Sequence, residues 1–198
     1  MATMSTTSFF RLSTYTLGML VMALILAGCD SSGSGSEPIV LSDPLNPTET
    51  TFEFEYAADD VSNGVLEVTS TASDQLASVI SAYGYGRNDV VSARVEAVTM
   101  ERISLGQSAV KKKVFDYLAA ASVYFGASTS APLIAAMDPL PVDTEVSMTL
   151  GPGTDVTSQV RGGATNALLV LDLGEGGQVG SGGDSVEITV EFRIEVQP

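Results

Sequence analysis

The last strand-forming segment of the chain constrains the fold more than any other feature. From residue 186 to residue 196 apolar and polar side chains alternate without a break, in the order Val-Glu-Ile-Thr-Val-Glu-Phe-Arg-Ile-Glu-Val. Because successive side chains of a β-strand point to opposite faces, this period of two predicts one strand of about 36 Å. We expect the strand to lie inside a sheet, with one face on a hydrophobic core and the other face in water.

Aromatic residues and turn residues mark the strands that would accompany it. Within residues 51–56, Phe or Tyr alternates with Glu, which predicts a half-buried strand with its acidic side chains in solvent. Asn63-Gly64 is typical of the two-residue turn of a β-hairpin. Further apolar runs of strand length lie at residues 65–69, 90–105, 122–127, 132–137, 145–150 and 165–173.

Three segments depart from simple alternation. In the run 90–105 the apolar parity changes between Val95 and Val98, which indicates a β-bulge or a strand that changes sheets. Residues 73–84 follow helical spacing, with apolar side chains at i, i+3, i+4 and i+7 and a glycine at the end. Residues 154–162 have the composition of one capped helical turn.

These elements together predict the fold class. About eight strands, one or two short helices and no regular alternation of strand with helix favour an all-β fold, either a β-sandwich or a jelly-roll-like body. We expect residues 50–198 to form this single domain. A domain of that size buries enough surface to be stable without disulfides, and one cysteine permits none within the chain.

The first 28 residues have the three parts of a secretory signal. A polar start carries one positive side chain, Arg11, and an apolar run follows at residues 17–27. That run is far shorter than the roughly 20 residues that a membrane-spanning helix needs. We therefore interpret residues 1–28 as a cleaved signal peptide.

The end of this segment carries a specific motif. Leu26-Ala27-Gly28-Cys29 contains the only cysteine of the chain and resembles the lipobox of bacterial lipoproteins. The resemblance implies cleavage before Cys29 and attachment of acyl chains to its thiol, so that the protein is anchored in a membrane of the cell envelope and faces the periplasm or the cell surface. Residues 29–49, rich in Ser, Gly and Pro, would then be the lipidated residue and a flexible tether.

Charge and missing residue types exclude several function classes. The chain has 24 acidic and 9 basic side chains and a formal net charge of −15, which argues against nucleic acid as a partner because phosphates require a basic face. It contains no histidine, so Ser-His-Asp and Cys-His catalysis and His-ligated zinc sites are excluded. Carboxylate chemistry, a Ser-Lys pair and oxygen-liganded calcium or magnesium remain open.

We therefore expect a membrane-anchored envelope lipoprotein that acts as a non-enzymatic binding or structural module, with a polysaccharide or a protein as its partner. The alternative is a hydrolase that uses paired carboxylates, assisted by calcium, on an envelope or extracellular polymer. The fold class does not distinguish the two, because one fold hosts many functions.

Two short segments supply candidate ligand contacts. Tyr83 and Tyr85 stand on a glycine-flanked loop, where their rings either stack on a sugar or pack the helix end against the sheet. Asp59 and Asp60 are candidate calcium ligands and otherwise residues of a solvated turn. The glycine-rich residues 174–184 lack the Gly-Lys-Ser/Thr ending of a phosphate-binding loop, and we expect them to form a flexible loop between strands.

Overall fold

In a computed structural model of the chain, the structure describes residues 36–41, 48–72, 74–103, 115–180 and 182–197. These described residues form eleven strands and two α-helices, together with single 3-10 turns at Ala58–Asp60 and Arg87–Asp89. The strands are β1 Ile39–Leu41, β2 Thr48–Tyr56, β3 Val61–Ser62, β4 Val65–Thr71, β5 Val90–Ile103, β6 Leu118–Tyr124, β7 Leu133–Met137, β8 Glu145–Ser147, β9 Thr149–Leu150, β10 Asn166–Leu173 and β11 Asp184–Val196. The helices are α1 Gln75–Ala82 and α2 Thr157–Gly162.

Two antiparallel sheets confirm the predicted all-β sandwich. In the first sheet, β11 pairs with β5 along one edge, and β8 pairs with the other edge of β5. Along its second edge β11 pairs directly with two strands, with β2 over residues 184–192 and with β1 over residues 194–196. The second sheet has the order β3-β4-β10-β6-β7-β9. The count exceeds the predicted eight by three strands: β1 and β3 have only three and two residues, too few to show a period, and the one strand predicted at 145–150 is observed as β8 and β9.

The hydrophobic core lies between the sheets and confirms the register predicted for β11. The side chains that β11 turns inward are all buried, and Phe192 is 3% exposed. Phe125, which follows β6 of the second sheet, stacks edge-on against Phe52 and Phe192 of the first sheet, with ring centroids 6.2 and 5.6 Å away. Aromatic pairs of this geometry add to the energy of burial and here join the two layers.

The parity change in β5 is a β-bulge, as predicted. Glu191 of β11 pairs with Ala97, but Phe192 pairs with Val95, so Glu96 is the extra residue. Because the bulge absorbs one residue, Val95 and Val98 both face the core and both are buried.

Two predicted strands differ from the observed ones. The strand predicted at residues 122–127 begins earlier, at Leu118, and ends at Tyr124. Residues 118–121 are mostly alanine, which gives little strand signal, and Gly126 leaves the extended conformation with φ +149°. The run at 145–150 is divided between sheets, because β8 pairs with β5 whereas β9 pairs with β7.

Part of the predicted tether belongs to the folded body. Ile39 and Leu41 of β1 pair with Val196 and Ile194 of β11, and the Gln197 side-chain amide donates a hydrogen bond of 2.6 Å to the Ser36 carbonyl. The prediction of a free tether up to residue 49 is therefore wrong for residues 36–41, and also for Thr48 and Glu49, with which β2 begins.

The helices form where predicted. Asp74 caps α1 by accepting a hydrogen bond of 3.1 Å from the Ala77 amide, and Leu76 and Ile80 bury the inner face of this helix. The shorter helix α2 ends at a left-handed glycine, Gly163, a common helix terminator.

Strand β11 has 13 residues and therefore spans about 40 Å. Its two ends mark two regions of the body, the Val196 end and the Asp184 end. The Val196 end contains β1, where the chain enters, and the turn Arg87–Asp89, whose Asp89 carbonyl accepts a hydrogen bond from the Gln197 amide. The Asp184 end contains the end of β2 and the glycine-rich loop before β11.

We expect Phe192→Ala to lower the free energy of unfolding by about 3 to 5 kcal/mol, because it removes a buried ring that contacts the opposite sheet. Urea denaturation measures the change. Arg193→Ala is the matched control on the solvent side of the same strand, and we expect it to stay within about 0.5 kcal/mol. A loss below about 1 kcal/mol for Phe192→Ala would contradict the register of β11.

Candidate functional site

Polar residues close the core at the Asp184 end. In β5 the inward positions run Val98, Met100 and then Arg102, so the guanidinium stands where the pattern would place another apolar side chain. Asp184 begins β11 in the same inward position, and Tyr56 ends β2 there. Three adjacent strands thus finish their buried faces with groups that can hydrogen-bond to one another.

A buried ion pair lies at the centre of this group. The Arg102 Nε donates to Asp184 Oδ2 at 2.7 Å, and the Arg102 Nη2 contacts the same oxygen. The Arg102 Nη1 donates to Asp116 Oδ1 at 2.9 Å. The Asp184 side chain is 3% exposed whereas that of Asp116 is 62% exposed, so the guanidinium links a buried carboxylate to a solvent-facing one.

Two tyrosines extend the network to the second sheet. Tyr117, which directly precedes β6, donates from its hydroxyl to Asp184 Oδ2 at 3.2 Å, and its ring lies 4.5 Å under the Arg102 guanidinium. The Tyr56 hydroxyl lies 2.6 Å from that of Tyr117. The network therefore joins β2, β5 and β11 of one sheet to the start of a strand in the other.

Burial sets the ionisation of these groups. It raises the pKa of Tyr117 to about 12, and the charge of Asp184 adds to the effect. Burial likewise raises the pKa of Tyr56 above its usual value. For Arg102, burial lowers the pKa, but the hydrogen bond and charge of Asp184 outweigh it and the pKa rises. Arg102 therefore carries its charge at every physiological pH.

The glycine-rich loop folds against Tyr117. The Gly174 amide donates to the Tyr117 carbonyl at 2.9 Å, and the Gly177 amide donates to the Gly174 carbonyl at 2.7 Å. A Cβ at Gly177 would collide with the Tyr117 carbonyl oxygen. Val179 is buried in the core, so this loop, predicted to be flexible, has defined contacts on both of its halves.

A cavity of about 540 Å³ lies between this loop and the ion pair. Side chains on its wall include those of Arg102, Asp116, Tyr117, Glu175 and Gln178. A second depression of about 210 Å³ shares Gly177 and Gln178 with it and is otherwise apolar. Volumes of this size are typical of small-molecule sites.

The structure places the predicted tyrosines far from this cavity. Tyr83 follows α1 near the Val196 end and is 51% exposed. Tyr85 packs partly buried against the core. The two therefore differ in environment, and neither lines the cavity. Cys29 and the motif residues Leu26, Ala27 and Gly28 lie outside the described residues.

The predicted calcium ligands lie in the turn Ala58–Asp60. Both are exposed, and Asp60 Oδ2 accepts a hydrogen bond of 2.7 Å from the Ala57 amide. The carboxylate of Asp60 thus holds the turn, while Asp59 faces solvent.

A row of four glutamates crosses the outer face of the first sheet. The strand registers place Glu53, Glu187, Glu101 and Glu145 side by side on β2, β11, β5 and β8. The row places four carboxylates side by side on this face near the Asp184 end. Within the described ranges, no three acidic, histidine or cysteine side chains converge closely enough to hold a metal ion.

No protein-family model matches the chain, and no curated protein or solved structure is detectably similar to it. Neither helix in the described part of the chain has the length and apolar character needed to cross a bilayer.

The sequence contained a signal for part of this site. Arg102, Asp184 and Tyr56 each share the parity of the apolar residues on their strand, so extending the period of two marks all three as inward-facing. The sequence gives no such indication for Asp116 and Tyr117, because these residues precede β6 in an irregular segment that has no period of two.

We expect Asp184→Asn to lower the free energy of unfolding by about 3 to 5 kcal/mol, because it leaves the Arg102 charge without its buried partner. Asp116→Asn, which changes the exposed partner of the same guanidinium, should cost less than about 1 kcal/mol. Urea denaturation at neutral pH measures both variants. Equal effects from the two substitutions would show that the buried pair is not the dominant contact.

The network also predicts a loss of stability in alkali. A tyrosine whose pKa is raised on folding favours the folded state below the unfolded pKa of about 10, and this advantage disappears as the pH rises toward the folded value of about 12 for Tyr117. We therefore expect the free energy of unfolding to fall between about pH 10 and pH 12. Compared with the wild type, this fall in the free energy of unfolding should be shallower in Tyr117→Phe and the same in the exposed control Tyr83→Phe. Identical slopes in the wild type and both variants would show that Tyr117 is not the cause.

Proposed function

We propose that the protein is a lipid-anchored module of a bacterial cell envelope that binds a ligand in the cavity at the Asp184 end and performs no catalysis. The observation that carries the proposal is the position of the cavity: the chain enters the body at the Val196 end, through β1, and the cavity lies at the opposite end of β11. A tether that joins the body at β1 would leave the opposite end, with the cavity, free to meet a ligand.

The anchor rests on the motif at Cys29. Buried acyl chain contributes about 0.8 kcal/mol per CH2, and more than one chain is needed for stable attachment, which is what the lipoprotein motif implies. Only six residues separate Cys29 from Ser36, so the connection between them spans at most about 25 Å.

Binding is favoured over the alternative of a carboxylate hydrolase. Such a hydrolase needs two carboxyl groups that reach the scissile bond and a water molecule. Asp184 is buried, with Oδ2 bonded to Arg102 and Tyr117 and Oδ1 accepting the Ser185 amide at 3.1 Å. This carboxylate holds the fold together and is not part of the cavity wall. Of the two carboxylates that do line the described wall of the cavity, Asp116 and Glu175, the first is already bonded to the Arg102 guanidinium.

We expect Cys29→Ser to remove the protein from the membrane fraction, because a serine hydroxyl cannot form the thioether to lipid. Fractionation of cells and blotting with an antibody to the body measure the change. Ser31→Ala, which leaves the motif intact, is the matched control and should stay with the membrane. A membrane fraction unchanged by Cys29→Ser would refute the lipid anchor.

A further inference from the structure

We propose that the cavity at the Asp184 end takes an uncharged, hydroxyl-rich ligand, namely a saccharide unit of an envelope or extracellular glycan. This inference rests on the proposed binding role of the cavity and names the class of its ligand. It follows from the charge, the fixed acceptors and the shape of the cavity wall.

Charge argues against an anionic ligand. The only cationic group on the described wall of the cavity is the Arg102 guanidinium, and it is already bonded to Asp184 and Asp116. Glu175 adds a second carboxylate to the wall beside Asp116. Among the described residues of the wall, a phosphate, sulfate or carboxylate would thus meet more negative than positive charge, which costs free energy that the shared guanidinium cannot offset.

The arrangement of the acceptors also disfavours a metal ion. A divalent cation needs several oxygen ligands that converge on one point, and within the described ranges no such group of three side chains exists. Asp116 and Asp184 face a common guanidinium instead. Acceptors that do not converge on one point can each accept one hydrogen bond from a different hydroxyl group of a neutral ligand.

Two groups on the wall, the Arg102 guanidinium and the Asp116 carboxylate, are held in place before any ligand arrives. Arg102 fixes Asp116, and Asp184 in turn fixes Arg102. The Gln178 side chain adds both a donor and an acceptor. Preorganised groups of this kind lose little conformational freedom on binding, which favours affinity for a small polar ligand.

The adjoining depression offers an apolar surface to the C–H groups of such a ligand. It shares Gly177 and Gln178 with the main cavity and continues over Val61, Leu173 and Val179. A pyranose ring carries hydroxyl groups at its edge and C–H groups on its faces, so one ring can meet the polar wall while a neighbouring group covers the apolar one. Small-molecule sites commonly combine an apolar surface with a few placed polar groups.

The test is a binding titration of the full-length lipidated protein in a zwitterionic detergent without a sugar head group. The probes are neutral di- to tetrasaccharides of glucose, mannose, galactose and N-acetylglucosamine, with glucuronic acid as the anionic probe and ethanolamine as the cationic probe. Saturation-transfer NMR detects binding, and calorimetry gives the dissociation constant. We expect at least one neutral oligosaccharide to bind, more tightly than either charged probe.

Variants locate the bound saccharide. Gln178→Ala and Asp116→Asn should each weaken binding roughly tenfold, the effect of losing one hydrogen bond to a polar or charged group. Tyr83→Ala, at the opposite end, should leave the dissociation constant within about twofold. Thermal melts confirm that each variant is folded, and the two cavity variants act through different side chains.

Each contrary outcome has a distinct meaning. Preferred binding of glucuronic acid or ethanolamine, or no binding by any neutral saccharide, would overturn the ligand class. Loss of saccharide binding in Tyr83→Ala alone would overturn the location and move the site to the loop after α1. Saccharide binding by a protein that fractionates away from the membrane would overturn the proposed anchor and leave the ligand assignment intact.

Discussion

The buried ion pair between Arg102 and Asp184 holds the Asp184 end of the sandwich together. Both residues occupy positions where β5 and β11 would otherwise place apolar side chains, so a charge enters the core only because its counter-charge lies on the neighbouring strand. The pair in turn fixes Tyr117 from the second sheet and Asp116 at the surface. A buried pair of this kind contributes little net stability compared with apolar packing. Its value here is that it leaves a polar, rigid wall beside an open cavity.

Much of the fold follows from the sequence, because long strands repeat their period many times. The eleven alternating residues of β11 predict a central strand with a buried face, and the registers confirm it. The shifted parity between Val95 and Val98 predicts either a bulge in β5 or a strand that changes sheets, and the register identifies the bulge. Short elements offer no such repetition. Ile39–Leu41 is therefore part of a sheet although its sequence resembles a tether, and residues 145–150 divide between two sheets although they read as one strand.

The candidate site was less predictable than the fold, for a physical reason. Arg102 and Asp184 are 82 positions apart, and their attraction depends on the pairing of two strands that the local pattern does not specify. The composition of the glycine-rich loop likewise did not indicate its structure, because a high glycine content is typical of flexible segments. Its order depends on contacts that only the fold supplies, such as the close approach of Gly177 to the Tyr117 carbonyl and the burial of Val179.

Hydrogen exchange tests most directly whether the Asp184 end is the binding end of the protein. The exchange of backbone amides would be compared between native envelope vesicles and the same protein purified in detergent. We expect the vesicles to slow exchange in peptides that cover residues 115–118 and 174–180, because a bound ligand shields the cavity wall, and to leave the outer strands of the second sheet unchanged. Slower exchange in the loop at residues 83–89, with none at the cavity, would contradict a binding site at the Asp184 end.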